Sequence, residues 1–434
     1  MTPLTIGILG ASALLILAVL GVRIAYAAAF VGTVGLILLT GNPYAAIVAA
    51  GTIPYAKATS YELSVLPMFI LIGYLAYYAG MTRTCFEAAK RWFGWLPGGL
   101  AIGTIFAVAA FSAVSGASTA AAAVFARVAI PEMLREGYNR RLAAGVVAAG
   151  STLDSLIPPS ALLVIYGIIT EQSIGDLLIA GFVPGIISAL AYCAIVVVRC
   201  KLNPELGRPI TGYTWKQRFE SLPATAPVWI VVVLIFTSML YGWATPTEAG
   251  ALGAAATLYF AWRHAMTWGQ FRGALLESAK LTVMIFTIIW GVLIFVRFLG
   301  YANLPVTFAG WIEGLKLHPL LILLAIYAIY LVLGCLMDSI GMMLLTLPIV
   351  YPVIEGLGYD PIWFGIIVVK LCGIGLLTPP VGLVVFVVNG VRPDIALGDV
   401  FRGIWPFLIA DIITVALLTA FPEVVTFVLG YRTR

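Results

Sequence analysis

The sequence predicts an all-α, polytopic membrane protein built from two inverted repeats, and three observations carry that prediction. The first is composition. Of 434 residues, 62% are hydrophobic and 10% charged, against about 25% charged in soluble domains. The bilayer is therefore the chain's solvent. The second is an internal repeat. "PEMLREGY" followed by "GSTLDSLIPPS" returns as "PVIEGLGY" followed by "GIGLLTPPVG". Pro131 and Pro352, Tyr138 and Tyr359, Pro158 and Pro379, and upstream Ser118 and Ser339 all lie 221 residues apart. Gly80 with Gly300 and Pro97 with Pro319 match with a small slip. Such a repeat means two structurally equivalent units. The third is the Pro-Pro pair inside an apolar helical run, which reads as a broken helix. In lipid a break survives only where it is buried in protein or lines a cavity. Paired breaks in two halves point to a transporter's binding site.

The elements follow in chain order. Residues 1–65 hold two scaffold spans, 3–21 and 24–40, separated by Arg23, and then a mixed stretch, 41–64, expected as an external connection. The start lacks a basic n-region and is expected as a retained span, not a cleaved signal peptide. Residues 66–200 form the first repeat, beginning with a span at 66–80. "TRTCFEAAKRWFGWLPGG" interleaves Arg83, Glu87, Lys90 and Arg91 with aromatics, the pattern of an amphipathic helix lying in the interface. Residues 97–130 carry Ser112, Ser115, Gly116, Ser118 and Thr119 in mid-run, which suits a re-entrant hairpin turning at "SGAS" better than a straight helix with a serine face. Ala120 to Ala123 let its arms pack closely. A basic loop, 127–141, leads to the broken helix 142–170 and a span at 177–198. Residues 201–280 are the inter-repeat connection and scaffold spans at 226–243 and 247–262, with a basic connection after them. Residues 281–428 form the second repeat: a span at 281–299, an arm at 300–318, a hairpin at 319–350 with "GCLMDSIG" at its tip, a broken helix at 362–391 and a last span at 404–428.

Charge sets the orientation, because cytoplasmic loops collect Lys and Arg. Residues 82–96 hold Arg83, Lys90 and Arg91, and 127–141 hold Arg127, Arg135, Arg140 and Arg141. The counterparts 300–318 and 351–362 offer only Lys316, beside Glu313, Glu355 and Asp360. The first hairpin is thus expected to open to the cytoplasm and the second outward. About ten spans, two opposed hairpins and both termini outside follow.

Hairpin tips and helix breaks leave backbone carbonyls and amides without helical partners. The carbonyls there, with the hydroxyls of Ser115, Ser118, Ser151 and Thr152, are hard oxygen ligands suited to a weakly held monovalent cation. Gly334, Asp338, Ser339 and Thr378 offer the same in the second half. The half-helix N-termini at 158–160 and 379–382 present positive dipole ends to an anion. Ser155, Pro159, Ser160 and Pro380, with Lys370 as an intramembrane cation, are the candidate substrate contacts. Asp154 is a costly mid-membrane carboxylate, and pseudo-symmetry nominates Lys370 as its partner; the alternative is direct binding of cation or substrate by either residue. Arg297 and Asp411 read as span-end or helix-contact residues.

The set "LPGGLAI", "SGAS", "AIPEMLREGY", "LAAGVVAAG", "LIPPS", "GCLMDSIGMMLLTLPI" and "LLTPPVG", running from about Pro67 to Pro406, resembles the large membrane (M) subunit of TRAP (tripartite ATP-independent periplasmic) transporters. The resemblance implies an elevator-type transporter of the bacterial inner (cytoplasmic) membrane. It implies sodium-coupled uptake of a small organic anion, a carboxylate or sulfonate, with two or more Na+ as coupling ions. It also implies two protein partners, a small four-helix membrane (Q) subunit, expected as a separate chain, and a periplasmic substrate-binding (P) protein. By the same resemblance the first Na+ site would draw on Ser115, Ser118, Gly150, Thr152, Asp154 and Ile157, and the second on Gly334, Asp338, Ser339, Gly373, Leu376 and Thr378. The chain departs from the family at Asp154, where a glycine is usual, at Gly373, often an acid, and at Val384, often an asparagine.

Other classes fit poorly. His264 and His318 lack metal-ligand spacing, Cys85, Cys193, Cys200, Cys335 and Cys372 are scattered, and no G-x-x-x-x-G-K loop is present. Ser115 has no nearby base and "AVSGAS" does not match a nucleophile elbow, so no enzyme is expected. The basic residues lie in loops and report orientation, not nucleic-acid binding. The rival reading is a stand-alone cation-coupled organic-anion transporter or antiporter of a related inverted-repeat fold.

Overall fold

The computed structural model describes residues 2–115, 118–210, 212–335, 337–380 and 382–431, and within them the side chains of all but 19, 45, 57, 58, 82, 112–115, 120 and 431. The described residues form helices and turns, with no strand among them. The helices are α1 (Pro3–Val19), α2 (Ile24–Thr40), α3 (Pro43–Ala58), α4 (Val65–Tyr78), α5 (Met81–Phe93), α6 (Gly99–Ser115), α7 (Ser118–Arg135), α8 (Arg140–Ser151), α9 (Ala161–Thr170), α10 (Ile174–Leu202), α11 (Trp215–Leu240) and α12 (Pro246–Arg263). There follow α13 (Trp268–Tyr301), α14 (Leu304–Gly314), α15 (Pro319–Gly334), α16 (Ser339–Gly356), α17 (Pro361–Gly375), α18 (Leu383–Val391) and α19 (Leu397–Ala420). Helix boundaries recur at the sequence offset: α7 and α16 both start and end 221 residues apart, and α8 and α17 start 221 apart.

Among the described residues, six helical runs are long and apolar enough to cross a bilayer: Tyr61–Tyr78, which contains α4, and α10, α11, α13, α16 and α19. Five of these coincide with expected spans; α16 is an arm of the expected second hairpin. The segments on either side of each break are individually short.

Three expectations are corrected. The stretch 41–64, expected as a connection between spans, is mostly helix, because α3 occupies most of it. Its Ala-rich sequence favours a helix, and Pro54 lies in its last turns, where few hydrogen bonds depend on it. The loop at 127–141 is shorter than expected, since α7 runs through Pro131 to Arg135. The connection after α12 is also mostly helix. Thr267 and Gln270 form a capping box, with the Thr267 hydroxyl accepting from the Gln270 amide and the Gln270 side chain accepting from the Thr267 amide, so α13 begins at Trp268.

The interior is built on α8 and α17. Residues 142–151 of α8 and 363–375 of α17 are all buried, as expected of helices without a polar face. Alanine and glycine make this possible in α8. It crosses α19 so closely that a Cβ on Gly145 would lie 2.3 Å from the Gly403 carbonyl oxygen, a contact only small residues allow. Helices α6 and α7 pack together and on α8; α15 and α16 pack together and on α17. The second halves of the broken helices cross over, α9 packing on α16 and α18 on α7. Each break is thereby held between its own hairpin and the opposite one. Outside this core, α13 packs on α2 and α4, α12 on α4, and α11 on α12 and α5.

Candidate functional site

The first break is a folded turn, not a gap. Helix α8 ends at Ser151, residues Thr152–Ser155 form a 3₁₀ turn, and Ser160 caps α9, its Oγ accepting from the Leu163 amide at 3.4 Å. Its hydroxyls stitch it locally: Ser155 Oγ donates to the Thr152 carbonyl at 2.7 Å, and Ser160 Oγ to the Ser155 carbonyl. Every residue from 151 to 160 is buried. In the second break α17 ends at Gly375, Thr378 Oγ1 donates to the Ile374 carbonyl at 2.7 Å, and the Val384 amide reaches back to the Leu376 carbonyl at 3.2 Å. Gly382, with φ +55°, enters α18 in the left-handed region open to glycine. The Pro158–Pro159 and Pro379–Pro380 peptide bonds are both cis.

Each hairpin tip reaches its broken helix through the serine at the repeat offset. Ser118 Oγ donates to Asp154 Oδ1 at 2.6 Å, and Ser339 Oγ to the Cys372 carbonyl at 3.3 Å. Ser112 and the side chain of Ser115 lie outside the described side chains, and Gly116 and Ala117 outside the described residues. Gly334 touches the end of α17, where a Cβ on it would come within 2.6 Å of Gly375 Cα. The last turn of α17 also abuts the first break: a Cβ on Gly373 would sit 3.3 Å from Ser155 Oγ and 3.6 Å from Thr152 Cβ. Ser118, Thr152, Asp154, Ser155, Ser160, Gly334, Ser339 and Gly373 are therefore gathered at one place in the interior. Gly150 packs on Val108, Leu376 is buried, and Ile157 packs on Gly185 of α10.

Other candidates are turned elsewhere. Asp338 caps its own helix, with Oδ2 accepting from the Gly341 amide at 3.0 Å. Pro159 is buried and, with Pro158, faces Phe182 of α10 and Phe236 of α11. Pro380 is exposed, so the two breaks differ in how far they open at the surface.

Asp154 does not pair with Lys370. Asp154 is 3% exposed and takes its hydrogen bond from Ser118. The Lys370 ammonium lies 2.6 Å from Asp411 Oδ1 on α19, and the Tyr192 hydroxyl of α10 donates to the same oxygen at 2.6 Å. The reason is packing: α17 packs against both α10 and α19, and Tyr192 of α10 and Asp411 of α19 are the side chains that meet Lys370. Asp411 is indeed a helix-contact residue, but its role as the lysine's counter-charge and the part of Tyr192 were missed. The available signal was that a buried lysine needs an acid, and few acidic residues lie in apolar runs. Among the described residues no cluster of three or more His, Cys, Asp or Glu could hold a metal ion, so a cation here would depend on hydroxyl and carbonyl oxygens with Asp154 as the one carboxylate of the first break.

A buried core of two broken helices, each met by a hairpin tip, with six bilayer-length helical runs among the described residues, defines a multi-pass membrane transport protein. The chain belongs to the family described as "Tripartite ATP-independent periplasmic transporter, DctM component", which it matches over residues 11–424. It is 34% identical over 377 residues to the C4-dicarboxylate TRAP transporter large permease protein DctM of Pseudomonas aeruginosa, covering 85% of this chain and 86% of that one. It is 31% identical over 407 residues to the sialic acid TRAP transporter large permease protein SiaM of Vibrio cholerae, covering 93% of each. Its fold resembles that of the Alcanivorax borkumensis YdaH transporter, with a TM-score of 0.58 at 14% identity over 83% of this chain and 85% of that one.

Proposed function

We propose that this large permease subunit takes up a small organic anion, a carboxylate or sulfonate, by sodium-coupled elevator transport. A periplasmic substrate-binding protein delivers the anion, and a small four-helix membrane subunit completes the complex. The observation that carries the reading is the pair of serine contacts. Ser118 and Ser339, at equivalent positions, each reach from a hairpin tip to a broken helix. A serine hydroxyl thus meets each broken helix, at Asp154 in the first and at the Cys372 carbonyl in the last turn of α17 in the second, and these contacts support a monovalent cation held and released there. Substrate class is supported by the half-helix N-termini at Ser160 and Gly382, which favour an anion, and by relatives named for a dicarboxylate and for sialic acid. Alternating access is supported by unequal burial of the breaks: residues 151–160 are enclosed, while Pro380 is exposed. Membership of a tripartite family favours dependence on a binding protein over the stand-alone alternative.

The experiment is uptake into proteoliposomes carrying both membrane subunits, with the binding protein added. A sodium gradient is expected to drive uptake without ATP. Omitting the binding protein, or replacing sodium with potassium, is expected to abolish it. Undiminished uptake on a proton gradient alone would defeat the sodium assignment. Uptake without any binding protein would defeat the assignment to a tripartite system and favour the stand-alone alternative.

A further inference from the structure

We propose that the groove between α5, α6 and α11 is a binding site for an anionic phospholipid of the cytoplasmic leaflet, with an acyl chain in the groove and the phosphate on Arg91 and Arg218. The site lies apart from both breaks, and the proposal does not depend on which ion drives transport.

The groove has a volume of about 340 Å³, and its walls include Ala89 and Trp92 of α5, Phe106 and Ala107 of α6, and Leu222 and Trp229 of α11. Phe93 and Phe106 stack with ring centroids 4.5 Å apart, which closes the α5–α6 side. Thr225 also faces the groove, but its hydroxyl donates to the Leu222 carbonyl at 2.9 Å, so the wall stays apolar. Leu222 and Trp229 are exposed on a helix long and apolar enough to cross the bilayer, so the groove opens towards lipid. One turn of a partner helix, about 10 Å across and 5.4 Å high, needs more room than this, whereas an extended acyl chain is slimmer.

Basic side chains stand at one end. Arg218, Leu222, Thr225 and Trp229 recur at intervals of four, three and four, which is one stripe of α11. Arg218 therefore continues the groove wall by one turn. Trp92 Nε1 donates to the Arg218 carbonyl at 3.1 Å and Arg91 Nη1 to the Gln217 carbonyl at 3.4 Å, which brings both arginines to the start of α11. The Arg218 guanidinium lies 4.7 Å from the centre of the Trp215 ring, and its Nε is buried without a hydrogen-bond partner among the described residues. A buried charged donor without an acceptor is costly and needs one from outside the chain. The neighbouring acids are engaged elsewhere: Lys90 holds Glu132 and Glu136 of α7, and Lys216 pairs with Glu220. Among the described residues no carboxylate forms an ion pair with Arg91 or Arg218. Two arginines at the mouth of an apolar groove, on the side where basic loops collect, match a phosphodiester that carries acyl chains.

The test is lipid binding to the intact complex, delipidated in detergent and titrated with phosphatidylglycerol or phosphatidylcholine of the same acyl chains, with bound lipids counted by native mass spectrometry. A basic residue beside an anionic headgroup is worth about fivefold in affinity. One phosphatidylglycerol is therefore expected to bind about 25-fold more tightly than phosphatidylcholine. Arg218→Gln should lower that preference to about fivefold, and Arg91→Gln with Arg218→Gln should abolish it. Arg83→Gln removes an exposed charge elsewhere on α5 and should leave the preference intact. Ala89→Leu narrows the groove without touching a charge and should weaken both lipids, so a folding defect in the arginine variants does not decide the matter. Glycerol phosphate at equal concentration should not displace the lipid; displacement would mark a site for free anions and overturn the lipid assignment. The proposal is also overturned by equal binding of the two lipids to wild type, by an equal loss of preference in Arg83→Gln, or by unchanged binding in a folded double-arginine or Ala89→Leu variant. Loss of the small subunit from the double variant, in place of lipid, overturns it in favour of a protein interface.

Discussion

Replacing Lys370 by methionine leaves the Asp411 carboxylate alone in the protein interior. The two side chains are 4% and 1% exposed, and their charged atoms are 2.6 Å apart. Breaking a buried pair by removing one partner costs about 3–5 kcal/mol, because the remaining charge has already lost its water. Replacing both partners by apolar groups of similar size is close to neutral for the same reason. Lys370→Met and Asp411→Asn are therefore each expected to cost about 3–5 kcal/mol, whereas Lys370→Met with Asp411→Leu should recover most of it. The recovery stops short by about 1 kcal/mol, since the Tyr192 hydroxyl loses its acceptor. The exposed pair Lys280–Glu277 supplies a control. Its atoms are 2.8 Å apart, but the side chains are 70% and 41% exposed, so Lys280→Met should leave the unfolding midpoint close to wild type. Denaturant or thermal unfolding of the purified complex reads all of these. Additive losses in the double variant, with no coupling, would refute the claim that the ammonium exists to neutralise Asp411.

Two further outcomes are expected. Ser118→Ala and Ser339→Ala each remove one hydroxyl from a hairpin-to-break contact, so each should raise the sodium concentration needed for half-maximal uptake while the complex stays assembled; sodium dependence unchanged in both would leave only backbone carbonyls as ligands. Gly145→Val should abolish folding, because a Cβ there would meet the Gly403 carbonyl oxygen at 2.3 Å, while Gly300→Ala in α13 meets nothing within 4 Å and should be neutral or stabilising by up to about 1 kcal/mol; size-exclusion profiles of the expressed variants separate the two, and a well-folded Gly145→Val would show that α8 and α19 do not cross as described.

The sequence made the frame legible because the frame is periodic. Apolar runs, the 221-residue offset and the two Pro-Pro pairs place the hairpins and breaks to within a few residues of α6–α9 and α15–α18. The helix starts after Thr267 and Thr214 are written in the sequence as Thr-x-x-Gln capping boxes, set among basic residues that suit a connecting loop equally well. The partner of Lys370 could not be read in the same way. Pseudo-symmetry relates backbone positions, and it correctly brings Gly373 against Thr152 and Ser155. It says nothing about side chains present in only one half. Lys370 aligns with Ala149, so the repeat supplies no counter-charge, and the helix neighbours of α17 decide the matter. Among those neighbours, α10 and α19 supply the polar partners, Tyr192 and Asp411. A charge present in only one half is thus satisfied by side chains, Tyr192 and Asp411, that have no charged or hydroxyl-bearing counterpart at the repeat offset. That is why the lysine pairs with Asp411, and why Asp154 is left to a serine of its own hairpin.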